Sequence, residues 1–290
     1  MLRIKPECLP CTLNSALRLV KHATDDIEMQ RKAVTEAAEK LSKVTWKESP
    51  LELTFMIQRV VFELTRVRDP YAEIKKRSNA EILAAYPKLK KVVAESGDPL
   101  KMAAKLAAAG NALDLGAYSK INLNEPLKKA RTEGFVIDDY EEFRKSVLRA
   151  ETLIYFLDNA GEAVLDRLLI EVMLDVKDKP FKRITIVPKE IPLLNDVALD
   201  DVEEVKFDEL PNVVVRSVGD GFGAAPHPRS NVVKDWMRDH DLVLLKGQGN
   251  FETFLDYSGV FFLLVAKCPV VAGALKAPQG SLILKYSPRF

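Results

Sequence analysis

The chain has 290 residues, 47% of them hydrophobic and 29% charged, with 43 basic and 42 acidic side chains for a net charge of +1. A chain of that size can bury a core without disulfide or metal staples, and its hydrophobicity excludes intrinsic disorder. The balanced charge gives no general attraction to nucleic acid or an anionic membrane, so neither is expected as a partner.

The longest uncharged apolar run near the C-terminus, 260–266, is seven residues, against roughly 20 needed to cross a bilayer. The N-terminus runs straight into Cys8 without the apolar segment of a signal peptide. Three cysteines, Cys8, Cys11 and Cys268, do not make an oxidised secreted scaffold. A cytoplasmic protein is expected.

The first 150 residues hold 4 of the 13 glycines and are rich in Ala, Leu, Lys and Glu. Ala33, Ala37 and Leu41, with Val34 and Ala38 beside them, recur at helical spacing. Ser49-Pro50-Leu51-Glu52 is a capping box with proline at the first helical position, and it opens a helix to about Val67. Asp98-Pro99 opens another, into the alanine-rich segment that ends at Ala109. Residues 1–150 read as an N-terminal all-helical region of about five to seven helices.

From residue 151 the pattern alternates. Apolar runs at 153–157, 183–187, 213–216 and 242–245 read as buried strands with helices between them, and 260–266 and 281–284 as further strands. This is the α/β class: a mostly parallel, Rossmann-like sheet flanked by helices over 151–290, packed with the helical region as one unit. In such sheets ligands bind beyond the carboxyl ends of the strands. The loops of interest therefore start at Asp158, Pro188, Val218 and Lys246.

Asp158-Asn159-Ala160-Gly161-Glu162 follows the first strand and delivers a carboxylate and an amide to that edge. Oxygen donors of this kind suit a hard divalent cation, although an Asx turn capping a helix has the same look. Asn195-Asp196 follows the second strand, and Asp196 is either a third oxygen donor or a helix cap. Lys246-Gly247-Gln248-Gly249-Asn250 follows the fourth strand. Its glycines allow close backbone approach, the following helix offers N–H groups to an anion, and the lysine adds a charge suited to phosphate. It is not a Walker A loop, because the lysine comes first. Gly110-Asn111-Ala112-Leu113-Asp114 ends the alanine-rich helix; Asn111 and Asp114 could reach a cleft.

Cys8-Leu9-Pro10-Cys11 could bind metal, act in redox chemistry or merely pack. The second pair of a Cys₄ zinc site is absent, and no βαβ pattern surrounds it. His22, His227 and His240 lack metal-ligand spacing and read as surface or loop residues.

The order of these motifs is more specific than any one of them: C-x-x-C, G-N-x-x-D, strand-D-N-x-G-E, N-D, strand-K-G-x-G-N. It resembles the DUF89 family of metal-dependent damage-control phosphatases across nearly the whole chain. Cys8-x-x-Cys11 and Lys267-Cys268 resemble its subfamily I. The resemblance implies a divalent metal (Mg, Mn, Co or Ni) on Asp158, Asn159 and Asp196, and Lys246 at the substrate phosphate. Asn111, Asp114, Glu162, Gly247, Gly249 and Asn250 are then expected on the substrate side. It implies hydrolysis of phosphate monoesters of small metabolites, such as sugar phosphates or, in subfamily I, damaged purine nucleotides or their precursors. The C-x-x-C is expected to matter for activity. One departure is Gly223-Ala224-Ala225-Pro226-His227, where relatives carry a T-D-A-P-G-like stretch with an aspartate. The alternative is a non-catalytic nucleotide- or sugar-phosphate-binding regulator. A third reading, a redox or zinc-binding interaction protein, centres on the cysteines.

Overall fold

The computed structural model describes residues 1–110, 124–220 and 223–288. In chain order it runs α1 (Cys8–Ala23), α2 (Ile27–Leu41), α3 (Pro50–Thr65), α4 (Ala72–Ala94), α5 (Pro99–Gly110), α6 (Asn124–Thr132), β1 (Phe135–Asp138) and α7 (Tyr140–Arg149). The second half runs β2 (Thr152–Phe156), α8 (Glu162–Asp175), β3 (Arg183–Val187), α9 (Val202–Val205) and β4 (Val213–Val215). It continues with α10 (Asn231–Arg238), β5 (Leu242–Lys246), α11 (Gly247–Phe254), β6 (Val260–Val265), α12 (Pro269–Leu275) and β7 (Leu282–Ser287).

The helix starts follow from their caps. Ser49 and Glu52 form a reciprocal capping box ahead of Pro50, and Asp98 Oδ1 accepts the Lys101 N–H at 3.0 Å at the start of α5. The α1–α3 helices close over a small core of their own that includes Leu19, Val20, Ala33 and Val61, and α3 packs against α11.

The sheet has the order β1-β7-β6-β5-β2-β3-β4. Strands β2 to β6 are parallel, while β7 is antiparallel to β6 and parallel to β1. Alternate residues face opposite cores: Leu153 and Tyr155 join the one that includes α5 and α8, whereas Ile154 and Phe156 join the one that includes α11. Burial on both faces is why these strands are continuously apolar. One strand lies within the stretch read as helical. β1 is a four-residue segment beside β7, so the sheet draws on both sides of residue 150.

The chain leaves β2 outward to β3 and β4, then returns to place β5 on the other side of β2. This reversal beside β2 and β5 is the topological position at which open α/β sheets bind ligands, beyond the carboxyl ends of the strands. Asp158, Lys189, Gly247 and Lys267 follow β2, β3, β5 and β6 at that edge. His240, expected at the surface, is buried instead, with Nε2 2.8 Å from Thr185 Oγ1 and Nδ1 2.6 Å from Trp236 O.

Candidate active site

The loops after β2 and β3 are stitched together. The Ala160 N–H donates to Asn195 O at 2.9 Å and the Val197 N–H to Asp158 O at 2.8 Å, which sets Asn159 opposite Asp196 as an antiparallel bridge. The Lys189 N–H donates to Val197 O at 2.9 Å, tying the start of the same excursion to its end. Asp158 is buried, while Asn159 and Asp196 are half-buried. Asn159 Nδ2 donates to Asp158 Oδ2 at 2.7 Å and to Glu162 Oε2 at 3.1 Å. The structure thus brings together the three residues expected to hold a metal.

Burial pushes the Asp196 carboxyl up to about 7, with the Asp158 charge adding to the effect. Asp158 is raised by burial and then by Glu162, while Lys267, Lys189 and Lys246 act against the rise. Lys189 Nζ stands 3.8 Å from Asp196 Oδ2. Two acidic groups held where their charged forms are disfavoured would be relieved by a cation, and the donor set of two carboxylates and an amide is all oxygen, as a hard divalent ion requires. Among the described residues no three His, Cys, Asp or Glu side chains form a ready-made metal cluster; the third donor here is an asparagine.

α11 begins against Asp158. A β-carbon on Gly247 would lie 1.9 Å from Asp158 Oδ2, and the residue sits at φ +76°. Only glycine permits both the approach and the backbone conformation. The positive end of α11 therefore abuts the carboxylate. Gly249 is more distant, with its hypothetical β-carbon 3.9 Å from Asp158 Oδ1.

Lys246, expected at the substrate phosphate, is instead fully buried. Its ammonium bonds Glu162 Oε1, Asp166 Oδ1 at 2.6 Å and Ala107 O at 3.0 Å, one partner for each of its three donors. Burial alone would lower its pKa, but Asp166 and Glu162 outweigh it and hold the lysine charged. Asp166 is raised to about 7 by burial despite Lys246, and its Oδ2 has no hydrogen-bond partner among the described residues. Glu162 and Asp166 lie at i and i+4 on α8, one helix face turned toward β5. Glu162 is therefore part of this buried triad rather than of an open substrate surface. Asn250, also expected on the substrate side, spends its amide on Leu157 O at 3.0 Å and Lys246 O at 2.7 Å. Asn111 and Asp114 lie outside the described residues.

Besides the buried Lys189, the exposed Lys267 carries a charge that acts on both Asp158 and Asp196. Its sequence signal was its place directly after the apolar run 260–266. Gln248 links this loop to α11: its Oε1 accepts the Lys267 N–H at 3.1 Å, and its Nε2 donates to Glu252 Oε1 at 3.1 Å and Cys268 Sγ at 3.3 Å. Burial pushes Glu252 up to about 8 despite the Gln248 bond, with Asp158 adding to the rise.

Cys8, Cys11 and Cys268 are all free thiols. The N-terminal segment that leads to Cys8 and Cys11 is tied to α11 by the Leu2 N–H, which donates to Glu252 O at 2.8 Å. α1 begins at Cys8, and burial is the main cause that raises the pKa of both thiols.

This arrangement covers a known domain. Residues 4–283 match the damage-control phosphatase ARMT1-like domain. The chain belongs to that family, DUF89. It is 32% identical to the damage-control phosphatase PH1575 of Pyrococcus horikoshii, over 97% of each chain. It is 29% identical to a damage-control phosphatase of Archaeoglobus fulgidus, over 98% of this chain and 99% of that one. The crystal structure of PH1575, described as a DUF89 family protein, superposes with a TM-score of 0.82 over 99% of this chain and 100% of the other. Membership of this phosphatase family supports a phosphatase role, and the DUF89 fold agrees with the α/β architecture. Among the described residues no helix is long and apolar enough to cross a membrane.

Proposed function

We propose that this DUF89 chain is a divalent-metal-dependent phosphatase acting on phosphate monoesters of small metabolites. The observation that carries the reading is the backbone pairing of the Asp158 and Asp196 loops beside the start of α11. Asp158, Asn159 and Asp196 would hold the ion, with Mg, Mn, Co or Ni as candidates. When bound, such an ion neutralises phosphoryl charge and activates water, the main need of a reaction that is extremely slow unaided.

The chain's own groups supply the rest. Lys267 meets the phosphate dianion at the mouth, in the role the sequence assigned to Lys246. Lys189 balances Asp196 from within, and α11 directs its positive end into the crevice. Position 160 is alanine, where aspartyl-phosphate enzymes usually place a second aspartate, so water is the favoured nucleophile. Cys8-x-x-Cys11 and Lys267-Cys268 favour the subfamily I substrates, damaged purine nucleotides or their precursors, over other esters. The cytoplasm is the expected compartment.

A panel of phosphate monoesters incubated with each metal tests this. Phosphate release that stops on chelation and returns with added metal supports the reading. Ester binding without release under every metal favours the regulator.

A further inference from the structure

α4 carries buried polar side chains that the site itself does not use. Lys75, Ser78, Asn79 and Ile82 fall at i, i+3, i+4 and i+7, so they share one helix face, and all four are buried. That face meets both ligand loops. Asn79 Oδ1 accepts the Gly161 N–H at 2.7 Å, and its Nδ2 donates to Glu204 Oε2 at 3.0 Å. One turn earlier, Lys75 Nζ reaches Asp201 Oδ2 at 2.5 Å and Asp69 Oδ2 at 2.6 Å. Asp201 Oδ2 in turn accepts the Ala198 N–H at 2.7 Å. Gly161 lies two residues after Asn159, and Ala198 two residues after Asp196.

The approach is close. Gly161 sits at φ +75°, and a β-carbon there would be 3.2 Å from Ile82 Cδ1 and 3.3 Å from Ser78 Cβ. A buried amide or ammonium is unfavourable unless its bonds are made. An apolar residue would satisfy packing alone at these positions. Lys75 and Asn79 instead direct their bonds at the two segments whose relative placement decides whether three oxygens can converge on one ion.

We propose that α4 is a cross-brace holding the two ligand loops in register, with Asn79 and Lys75 as positioning residues for cation binding. The inference rests on the metal reading above. Donors must converge to about 2.0–2.6 Å around a hard cation. Groups that orient ligands from behind typically matter 10–100-fold in affinity.

The test is titration of Mn²⁺ alone into the full chain, read by calorimetry, with thermal unfolding of the metal-free protein alongside. Asn79→Ala should weaken Mn²⁺ binding roughly tenfold or more. The pair Asn79→Asp with Glu204→Gln keeps an acceptor for Gly161 and reverses the donor in the bond to position 204, so it should restore most of the affinity. Lys90→Ala, elsewhere on α4, breaks a pair with Glu171 of α8 and should leave affinity unchanged. An Asn79→Ala protein that binds as wild type, or a Lys90→Ala protein that loses as much, overturns the brace. Should Asn79→Ala fail to fold, Glu204→Leu takes its place by removing only the 3.0 Å tether; unchanged affinity there also overturns it. A wild type that binds no Mn²⁺ sinks the metal reading and the brace together, whereas one that binds beside an unaffected Asn79→Ala sinks the brace alone.

Discussion

Gly247 lies against Asp158 so closely that no side chain fits between them. Alanine there would be strained twice, by about 1–2 kcal/mol for the left-handed backbone and by collision with the carboxylate. Gly247→Ala should fold with a lowered midpoint and lose metal-stimulated phosphate release by about 10–100-fold. Near-normal release in that variant would place the chemistry elsewhere.

Asp196 and Asp158 both have raised pKa values. Protons and a cation therefore compete for the same oxygens, and metal affinity should climb as pH rises through about 7. Asp196→Asn should flatten that climb and reduce turnover by orders of magnitude while the protein stays folded. Metal titrations at several pH values, with circular dichroism as the folding control, read both effects.

Lys246 and Lys267 should behave as opposites. Lys246→Met leaves Glu162 and Asp166 in the interior without their ammonium, which costs about 3–5 kcal/mol. Lys267→Met removes an exposed charge and should leave stability nearly unchanged while weakening inhibition by inorganic phosphate and lowering kcat/KM. Denaturant unfolding and phosphate inhibition, measured on both variants, check the contrast. A stable Lys246→Met protein with weakened phosphate binding would restore that lysine to the substrate.

Glu252 holds its proton to about pH 8 when folded and only to about 4.3 when unfolded. Between those values the native state binds the extra proton, so wild-type stability falls as pH rises, by on the order of 1 kcal/mol per unit. Glu252→Gln does not titrate. Its stability relative to wild type should improve steadily across that window and level off above it. A pH-independent difference in unfolding midpoints would show that Glu252 is ionised in the fold.

Strands β2, β3, β5 and β6 are legible because burial on both faces leaves them mainly apolar, whereas β4 is legible from its valines although they are largely exposed. β1 escapes because Phe135-Val136-Ile137-Asp138 is too short to stand out and its partner, β7, is 140 or more residues away (Phe135 pairs with Leu282). The reversed direction of β7 has no local signature. Asp158, Asn159 and Asp196 are legible from their positions after strands. The partners of Lys246 are not, since Glu162 and Asp166 meet it only once α8 has packed onto β5. Lys75 and Asn79 are missed for a similar reason: polar residues at helical spacing look like a solvated face until the loops they hold are in place. Lys267 was legible in principle, as the first charge after an apolar strand.

The Lys246 triad also bears on how the chain reaches its native state. Glu162 and Asp166 precede their ammonium by 84 and 80 residues. A chain synthesised only through β4 has no β5 to lay beside β2, and the ammonium that meets both carboxyl groups is not yet present. The α8 face that carries them gains its charge partner only when residue 246 arrives. Contacts of this sequence separation couple early helices to late strands. β6 and β7 lie later still in the chain, so the sheet between β5 and β1 is filled only after the lysine of the triad has been made.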